Sequence, residues 1–195
     1  MITDVVLASG NAGKLRELHP ILEPLGVNLR PQSEFDMYDV DETGLSFVEN
    51  AILKARETSA HTGLPAIADD SGLEVDFLKG GPGIYSARYS GEGDEGNNAK
   101  LLRELSGVEP AQRTARYQCV LVYMRHPEDP VPIICQGAWE GRILESSRGN
   151  GGFGYDPLFY VPTHDCSAAE LDKSVKNRVS HRAIASAKLL DALKG

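Results

Sequence analysis

The 195-residue sequence contains no long apolar run, few cysteines and no excess of positive charge, and each shortage excludes a class of protein. No stretch approaches the roughly 20 apolar residues that a membrane-spanning helix needs. The three cysteines, Cys119, Cys135 and Cys166, lie far apart without a CxxC pair, which argues against a disulfide framework or a zinc site. The net charge of −8 disfavours sequence-independent binding to nucleic acid. We therefore expect neither a membrane nor a nucleic acid as partner.

The beginning of the sequence also lacks the pattern of a secretory signal. The apolar run at residues 5–8 is far shorter than a signal-peptide core, and the acidic Asp4 stands where basic residues would be needed. Together with the isolated cysteines, this pattern favours a cytoplasmic location, where thiols stay reduced.

What the sequence does contain is typical of an ordinary globular domain. Hydrophobic residues make up 41% of the chain, and a chain of this length buries about 70% of the surface that it exposes when unfolded. Internal repeats, low-complexity tracts and linkers are missing. We therefore predict a single domain over residues 1–195.

Short apolar runs alternate with helical patterns along the chain. Five segments are predicted as strands: residues 5–8, 66–68, 114–124, 131–141 and 158–161. Apolar residues at helical spacing predict helices between these strands and at the C-terminal end. This order predicts an α/β fold with a mixed sheet.

Local signals predict where several helices begin and break. Pro20 lies inside the first helical pattern and predicts a kink or a break there. Capping boxes at residues 46–49 and 167–170 predict the starts of a long helix, which continues towards Gly63, and of a short one. The glycine-rich stretch before residue 97 predicts a loop, and a helix is predicted over 97–105.

The first predicted strand leads into the most informative loop. A strand followed by a glycine-rich turn and a helix directs backbone N–H groups at one point, which suits a phosphate group. The loop consists of Ser9, Gly10, Asn11, Ala12, Gly13 and Lys14. It is not a Walker A loop, which would need Gly at position 8 and Ser or Thr at position 15, where the chain has Ala8 and Leu15. The alternative interpretation is an ordinary tight connection with a solvated lysine.

Two adjacent carboxylates, Asp69 and Asp70, follow the strand predicted at 66–68. Ligands bind at the carboxyl ends of strands in open α/β sheets, and Mg²⁺ prefers oxygen ligands. The alternative is a turn or a helix cap, because Asp, Ser and Gly all form turns. Glu42, in an acidic segment, and Lys54, on the helix that follows it, are further candidates without a local signal of their own.

Residues 153–156 (Phe153, Gly154, Tyr155 and Asp156) belong to a glycine-rich stretch. Aromatic side chains in an accessible loop suit stacking on a planar base, and the aspartate beside them suits accepting a hydrogen bond from a ring N–H. The alternative is a hairpin turn whose aromatic residues pack into the core.

Four basic residues cluster around the start of the last predicted helix: Lys176, Arg178, His181 and Arg182. The helix dipole favours anions at that end, so basic groups gain nothing there unless an anion is bound. The alternative is a solvated basic surface.

Taken in order, these segments resemble the inosine triphosphate pyrophosphatase family, which acts on noncanonical purine nucleoside triphosphates. The likeness covers nearly the whole chain and is strongest to the bacterial branch. Its motifs are SGNAGK at 9–14, ETG at 42–44 with FVENAILK at 47–54, ADDSGL at 68–73, PGIYSAR at 82–88, GFGYDP at 152–157 and SHR at 180–182.

The resemblance implies a role for each matching residue. Asp70 would be the catalytic acid–base and, together with Glu42, a ligand of Mg²⁺. Residues 9–14 would bind the triphosphate. The other substrate contacts would be Ser71, Phe153, Gly154, Tyr155, Asp156, Lys176, His181 and Arg182. Arg178 has no role in this resemblance.

The resemblance further implies an elongated mixed β-sheet with flanking helices, which form two lobes around a central cleft, and a homodimer. The implied reaction hydrolyses ITP, dITP or XTP to the monophosphate and pyrophosphate, which cleanses the nucleotide pool. Lys14 and Lys176 would contact phosphate, with Lys54 as a further candidate at the departing pyrophosphate. Arg182 and loop N–H groups would donate to the 6-oxygen that adenine lacks.

Two other classes of protein remain as alternatives. A phosphotransferase would use the same loop to hold ATP, although the missing Walker serine or threonine argues against it. A nucleotide-sensing module would bind without catalysis, although a pure phosphate binder gains nothing from the carboxylates at residues 42, 69 and 70 unless a metal is present.

Overall fold

The computed structural model describes residues 3–194 of the chain, with the side chain of Ala12 outside the description. Within these residues the strands are Thr3–Leu7 (β1), Val27–Pro31 (β2), Ala66–Val75 (β3), Thr114–Met124 (β4), Ile133–Ile143 (β5), Phe159–Val161 (β6) and Cys166–Ser167 (β7). The α-helices are Ala12–Leu22 (α1), Phe47–Thr62 (α2), Gly93–Glu104 (α3), Lys173–Val179 (α4) and His181–Lys194 (α5). Short 3-10 helical turns span Glu23–Leu25, Gln32–Phe35, Asp76–Leu78, Gly83–Arg88 and Pro110–Gln112.

All of these strands belong to one sheet, in the order β2-β1-β3-β4-β5-β6-β7. Strand β1 is parallel to β2 and β3, whereas β6 is antiparallel to β5 and β7. The predicted α/β fold with a mixed sheet is therefore confirmed. Each helix described within residues 3–194 is too short or too polar to cross a membrane.

The chain divides into two compact units. Unit 1 comprises the chain up to Asp70, the segment Cys119–Gly137 and the chain from Arg182 onward. Unit 2 comprises Ser71–Gln118 and Ala138–His181. A single domain with two lobes around a central cleft stays a prediction.

In unit 1, alternate residues of β4 pack into two different apolar clusters. Cys119 and Leu121 belong to the cluster that contains residues of α1 and α5. Val120 and Val122 belong to the cluster that contains residues of α2. Because side chains alternate between the two faces of a strand, helices cover β4 on both faces within this unit.

Unit 2 has its own core, in which Leu101 of α3 and Leu105, which follows the last residue of this helix, pack with aromatic residues of the strands. The rings of Tyr117, Trp139 and Phe159 lie between 4.6 and 6.3 Å apart, centroid to centroid. Aromatic pairs at such separations add about 0.5–1.5 kcal/mol to the stabilisation from area burial.

Several predicted boundaries are confirmed. Ser46 caps α2, because its Oγ accepts from the backbone N–H of Glu49 at 3.3 Å. The same helix ends at Gly63, whose φ of 68° is left-handed and suits a residue without a Cβ atom. Strand β4 has the predicted bounds of 114 and 124.

Two helices differ from their predictions. Helix α1 continues through Pro20 to Leu22, because Pro20 lies in the last turn at an exposed position, where the carbonyl left without a donor can reach water. A break at Pro20 is therefore wrong, and a kink there stays a prediction. Helix α3 begins at Gly93 rather than at residue 97. Acidic residues in its first turn complement the helix dipole.

The capping box at residues 167–170 does not open a helix. The backbone N–H of Ser167 does donate to Glu170 Oε2 at 2.7 Å. However, the next two N–H groups, of Ala168 and Ala169, donate to carbonyls of Phe159 and Asp156. Those tertiary bonds fix an extended strand and a turn, and the helix begins only at residue 173.

Candidate active site

The predicted phosphate loop connects β1 to α1 in unit 1. Asn11 is the N-cap of α1, and its Oδ1 accepts from the N–H groups of Gly13 at 2.7 Å and Lys14 at 3.4 Å. Ser9 Oγ accepts from the N–H of Asn11 at 3.2 Å. A Cβ atom on Gly13 would lie 2.9 Å from Asn11 Oδ1, so a larger residue there would displace this capping side chain. The loop therefore holds its own conformation. Binding of the triphosphate by residues 9–14 stays a prediction, and the side chain of Ala12 lies outside the description.

The two aspartates lie within β3, not after it. The strand predicted to end at residue 68 runs from Ala66 to Val75, and the prediction of its end is wrong. Asp69 and Asp70 are buried, 1% and 7% exposed, and each has a cationic partner that makes burial tolerable. As neighbours in a strand, their side chains point to opposite faces of the sheet.

Asp69 is the centre of an ion-pair network on the α1 and α5 side. Its carboxylate pairs with the ammonium of Lys14 and, at 2.8 Å, with Nε of Arg182. Arg182 Nη1 also donates to Glu17 Oε2 at 2.8 Å, and Cys119 Sγ donates to Asp69 Oδ2 at 3.3 Å. Burial opposes ionisation of this carboxyl, but Arg182 and Lys14 overcome it and hold the pKa of Asp69 well below its ordinary value.

Asp70 faces a different set of groups, on the α2 side. The ammonium of Lys54 lies 2.8 Å from Asp70 Oδ1, 2.9 Å from Glu42 Oε1 and 2.9 Å from the carbonyl oxygen of Asp69. Lys14 Nζ donates to the same carbonyl at 3.3 Å. Lys14 and Lys54 thus contact residues 69 and 70 from two different helices, and Glu42 joins them through Lys54.

The second oxygen of Asp70 stands out within this cluster. Asp70 Oδ2 is buried and has no hydrogen-bond partner among the described residues. Burial raises the pKa of the Asp70 carboxyl above its ordinary value, although the charge of Lys54 opposes this. A carboxylate with a raised pKa binds a proton more readily, as a general base must. Burial acts to lower the pKa of the Lys54 ammonium, but the nearby carboxylates of Asp70 and Glu42 outweigh it, so this pKa is raised.

The residues of this cluster fit a magnesium ion. In residues 3–194, no group of three or more His, Cys, Asp or Glu side chains is placed to hold a metal on its own. Mg²⁺, however, is usually held by one or two carboxylates together with substrate phosphates and water. The unpartnered Oδ2 of Asp70 and the carboxylate of Glu42, both beside Lys54, supply such a pair.

In unit 2, the predicted base-binding loop is a turn that Asp156 holds together. Asp156 Oδ2 accepts from the N–H of Phe153 at 2.9 Å and pairs with the ammonium of Lys176, while Tyr117 donates to its Oδ1 at 3.4 Å. Phe153 is 57% exposed, and Lys176 Nζ lies 4.8 Å from the centroid of its ring. Phe153 therefore offers an open aromatic face, as predicted for stacking.

Tyr155 does not offer such a face. Its side chain is 4% exposed and its hydroxyl donates to the carbonyl of Ser86 at 2.7 Å. The alternative interpretation from the sequence, an aromatic residue packed into the core, therefore describes Tyr155 but not Phe153. The φ of Gly154 is 61°, in the left-handed region that favours glycine.

The basic cluster predicted around the last helix is divided by the structure. Lys176 lies on α4 beside Asp156, and Arg178 is exposed on the same helix. His181 begins α5 and stacks on Tyr117, with ring centroids 4.8 Å apart and planes at 13°. Arg182 is engaged in unit 1 with Asp69 and Glu17. Its predicted contact with a base stays a prediction, as does the contact of Ser71, which follows Asp70 along β3.

Sequence reasoning missed the roles of Asp69 and Tyr117. Asp69 binds residues that are 55 and 113 positions away in the chain, and no local pattern reveals such partners. Tyr117 looks like any aromatic residue of a predicted strand, yet it contacts both Asp156 and His181.

This combination defines an α/β protein in which a phosphate-type strand–loop–helix lies beside a buried carboxylate–lysine centre. The sequence model of the Ham1 family matches residues 5–192, and the chain belongs to that family. The chain is 58% identical to the dITP/XTP pyrophosphatase of Thioalkalivibrio sulfidiphilus, covering 98% of both chains. It is 60% identical to the dITP/XTP pyrophosphatase of Pseudomonas syringae pv. tomato, covering 93% of this chain and 92% of the relative.

A solved structure agrees with these relatives. The HAM1 protein from Coxiella burnetii superposes with a TM-score of 0.94 at 46% identity, and the match covers 98% of both chains. The resemblance to bacterial pyrophosphatases of noncanonical purine triphosphates, inferred from six motifs, is therefore confirmed.

Proposed function

We propose that this protein hydrolyses noncanonical purine nucleoside triphosphates (ITP, dITP and XTP) to the monophosphate and pyrophosphate, and needs Mg²⁺ to do so. One observation carries the proposal: the buried Asp70 carboxylate has an unpartnered oxygen beside Lys54 and Glu42. The names of the relatives, dITP/XTP pyrophosphatase, support the choice of substrate.

Glu42 and Asp70 would hold the metal, which when bound lowers the pKa of water and offsets the charge of the phosphates. Asp70 is the group that receives the proton of the attacking water, because burial raises the pKa of its carboxyl toward the working range of a base. Lys14 and Lys54 stabilise negative charge on the departing pyrophosphate.

The network around Asp69 supports this assignment. Lys14 and Lys54 both donate to the backbone carbonyl of Asp69, so both ammonium groups lie next to Asp70, the proposed general base. Their positions are fixed by the fold before a substrate arrives, and preorganised charges of this kind need no rearrangement during the reaction.

Base recognition in the proposal belongs to residues 153–156, Lys176, His181 and Arg182. Lys176, expected from the sequence to contact phosphate, is assigned to the base because it pairs with Asp156 and lies over the Phe153 ring. Phe153 stacks on the purine through its exposed face. Hypoxanthine and xanthine carry an oxygen at position 6, where adenine carries an amino group. A site that donates to this oxygen leaves a donor unpaired when adenine enters, and such a mismatch lowers kcat/KM by roughly 10⁴-fold.

We also propose a homodimer in the reducing cytoplasm. The resemblance supports the dimer, and the three free cysteines, of which Cys119 and Cys135 are buried, support a reducing compartment. Light scattering of the purified protein tests the oligomeric state.

The proposed function is tested by measuring pyrophosphate release from ITP and ATP, with Mg²⁺, with Ca²⁺ and with EDTA. We expect activity on ITP with Mg²⁺ and none with EDTA. We expect little activity with Ca²⁺, because this ion is larger and its coordination geometry is less strict. Release of a nucleoside diphosphate with a phosphorylated acceptor would identify a phosphotransferase. Binding of ITP without turnover would identify a sensing module, and full activity in EDTA would remove the metal from the proposal.

A further inference from the structure

The loop that carries Phe153 is rich in glycine, which makes it entropically costly to order. Glycines occupy positions 149, 151, 152 and 154 around the exposed aromatic ring. Glycine loses more conformational freedom on ordering than any other residue. A ring that stacks on a base from such a loop would lose part of its binding free energy to ordering, unless another element already holds the loop.

Helix α3 of unit 2 holds this loop by the backbone of Gly154. The N–H of Gly154 donates to Asp94 Oδ2 at 2.6 Å, and Asn98 Nδ2 donates to the carbonyl of Gly154 at 2.8 Å. Asp94 and Asn98 are four residues apart, so they lie on the same face of the helix. The backbone N–H and C=O of Gly154 are thus both hydrogen-bonded to side chains of α3.

The Asn98 side chain is also held by the backbone of its own helix. Asn98 Nδ2 donates to the backbone carbonyl of Asp94 at 2.9 Å as well as to Gly154. Helix α3 is anchored in turn, since Asn97 is 1% exposed and donates to the carbonyls of Ser86 and Ala87. The pair therefore connects the loop to the core of unit 2.

The backbone of Phe153 is held as well, because its own N–H donates to Asp156 Oδ2 at 2.9 Å. Hydrogen bonds therefore hold the backbone both at Phe153 and at the next residue, Gly154. Phe153 remains 57% exposed, with the ammonium of Lys176 4.8 Å from the centroid of its ring. The backbone is held while the stacking face stays open.

We propose that Asp94 and Asn98 are positioning residues for base binding: they clamp Gly154 so that Phe153 is held in its stacking position before the nucleotide arrives. This inference rests on the proposed function, because it assigns the clamp to the purine end of the same substrate. Neither residue needs to touch the nucleotide, and both act through the loop.

The clamp predicts an effect on binding and not on chemistry. If only a fraction of molecules holds Phe153 in position, the apparent dissociation constant rises by the inverse of that fraction. For Asp94→Ala we expect a roughly tenfold rise in KM for ITP with kcat changed less than about twofold. Asn98→Ala should do the same, and Asp94→Asn, which keeps an acceptor oxygen, should recover most of the wild-type KM.

Glu95→Ala is the matched control. Glu95 lies beside Asp94 in the first turn of α3, so its removal changes the charge at the helix N-terminus equally without touching Gly154. We expect it to leave KM unchanged. Binding of IMP in metal-free buffer, measured by calorimetry, should follow the same order of variants without depending on catalysis.

A double-mutant cycle with Phe153→Ala tests whether the clamp acts through the ring. In the Phe153→Ala background, Asp94→Ala should add little, because the group that it positions is gone. A full additional rise in KM would overturn the inference, and so would an Asp94→Ala protein with the KM of Glu95→Ala.

Failure of the proposed function gives a different result. A wild-type protein that neither hydrolyses ITP nor binds IMP overturns the function and the clamp together. A wild-type protein that does both, beside an Asp94→Ala protein with unchanged IMP affinity, overturns the clamp alone.

Discussion

Asp69 and Arg182 form an ion pair, with 2.8 Å between Oδ2 and Nε, in which neither side chain is more than 7% exposed. The pair connects the strand that carries Asp70 to α5, and the ammonium of Lys14 connects it to α1. A buried pair of this kind is costly to break from one side only, because the remaining charge is left without compensation in a poorly solvated site.

The first prediction therefore concerns stability. Asp69→Asn should lower the free energy of unfolding by about 3–5 kcal/mol, since the buried Arg182 loses one of its carboxylate partners and keeps only that of Glu17, and Lys14 loses its partner as well. Adding Arg182→Met should recover a large part of this loss, because an apolar side chain tolerates the site. Urea denaturation of the single and double variants measures both effects, and a loss below about 1 kcal/mol for Asp69→Asn would contradict the buried network.

The second prediction separates Asp70 from its neighbour. Asp70→Asn removes the base and an anionic ligand but keeps the size of the side chain, so kcat should fall by at least ~10²-fold. The melting temperature should stay similar, because burial already disfavours the ionised Asp70 carboxylate and its Oδ2 has no partner within the described chain. Normal turnover of this variant would make Asp70 a structural residue.

The third prediction concerns Glu42 as a metal ligand. Glu42→Gln should raise the Mg²⁺ concentration for half-maximal activity by roughly tenfold, because one anionic ligand is lost. Asp41→Asn is the matched control, since Asp41 is the adjacent acid and is exposed. The Mg²⁺ dependence of the melting temperature gives the same comparison without turnover. Equal Mg²⁺ dependence of the two variants would exclude Glu42 as a ligand.

The fourth prediction assigns Lys14 to phosphate. Lys14→Ala should lower kcat/KM for ITP and XTP alike by roughly 10–100-fold, the range for a lost hydrogen bond to a charged group. Their ratio should not change, because both substrates carry the same triphosphate. Lys176→Ala should behave differently, since Lys176 lies over the Phe153 ring and pairs with Asp156. A changed ITP/XTP ratio for Lys14→Ala would place that lysine at the base.

The fifth prediction is a pH dependence at Tyr117. Burial, with Asp156 nearby, raises the pKa of the Tyr117 hydroxyl well above its ordinary value. The folded state therefore favours the neutral phenol, and the resulting stability is present below about pH 10 and is lost as the pH rises further. Tyr117→Phe should be about 0.5–1.5 kcal/mol less stable at pH 7, and this deficit should shrink above pH 10. A constant deficit from pH 7 to pH 11 would contradict the direction of the shift.

The sequence predicted elements whose signals are local. The cap at Ser46, the left-handed end at Gly63 and the whole of β4 were predictable, because side-chain hydrogen bonding, a positive φ and strand periodicity depend on neighbouring residues. The helix predicted from the box at residue 167 failed, because hydrogen bonds from the N–H groups of Ala168 and Ala169 to the distant carbonyls of Phe159 and Asp156 hold this segment as a short strand and a turn.

The candidate site shows the same division. The loop at residues 9–14 and the aspartate at position 70 were visible as motifs, whereas Glu42 and Lys54 had no local signal of their own. The partners of Asp69, and the engagement of Gly154 by Asp94 and Asn98, join residues more than 50 positions apart. Such contacts exist only after the strands and helices are packed, so no local pattern predicts them.

The placement of Asp69 and Asp70 on opposite faces of β3 makes the pairing of this strand part of the chemistry. A slip of one residue against β1 would turn each side chain to the other face. After a deletion, Asp70 would take the position of Asp69 beside Arg182 and Lys14. Asp69 would move to the position of Ala68, roughly 6–7 Å along the strand from the place that Asp70 now occupies beside Lys54. A single deletion between residues 64 and 68 is therefore expected to leave no carboxylate at the place of the proposed base although both aspartates remain in the sequence, so the length of this short segment is as much a requirement for activity as the aspartates themselves.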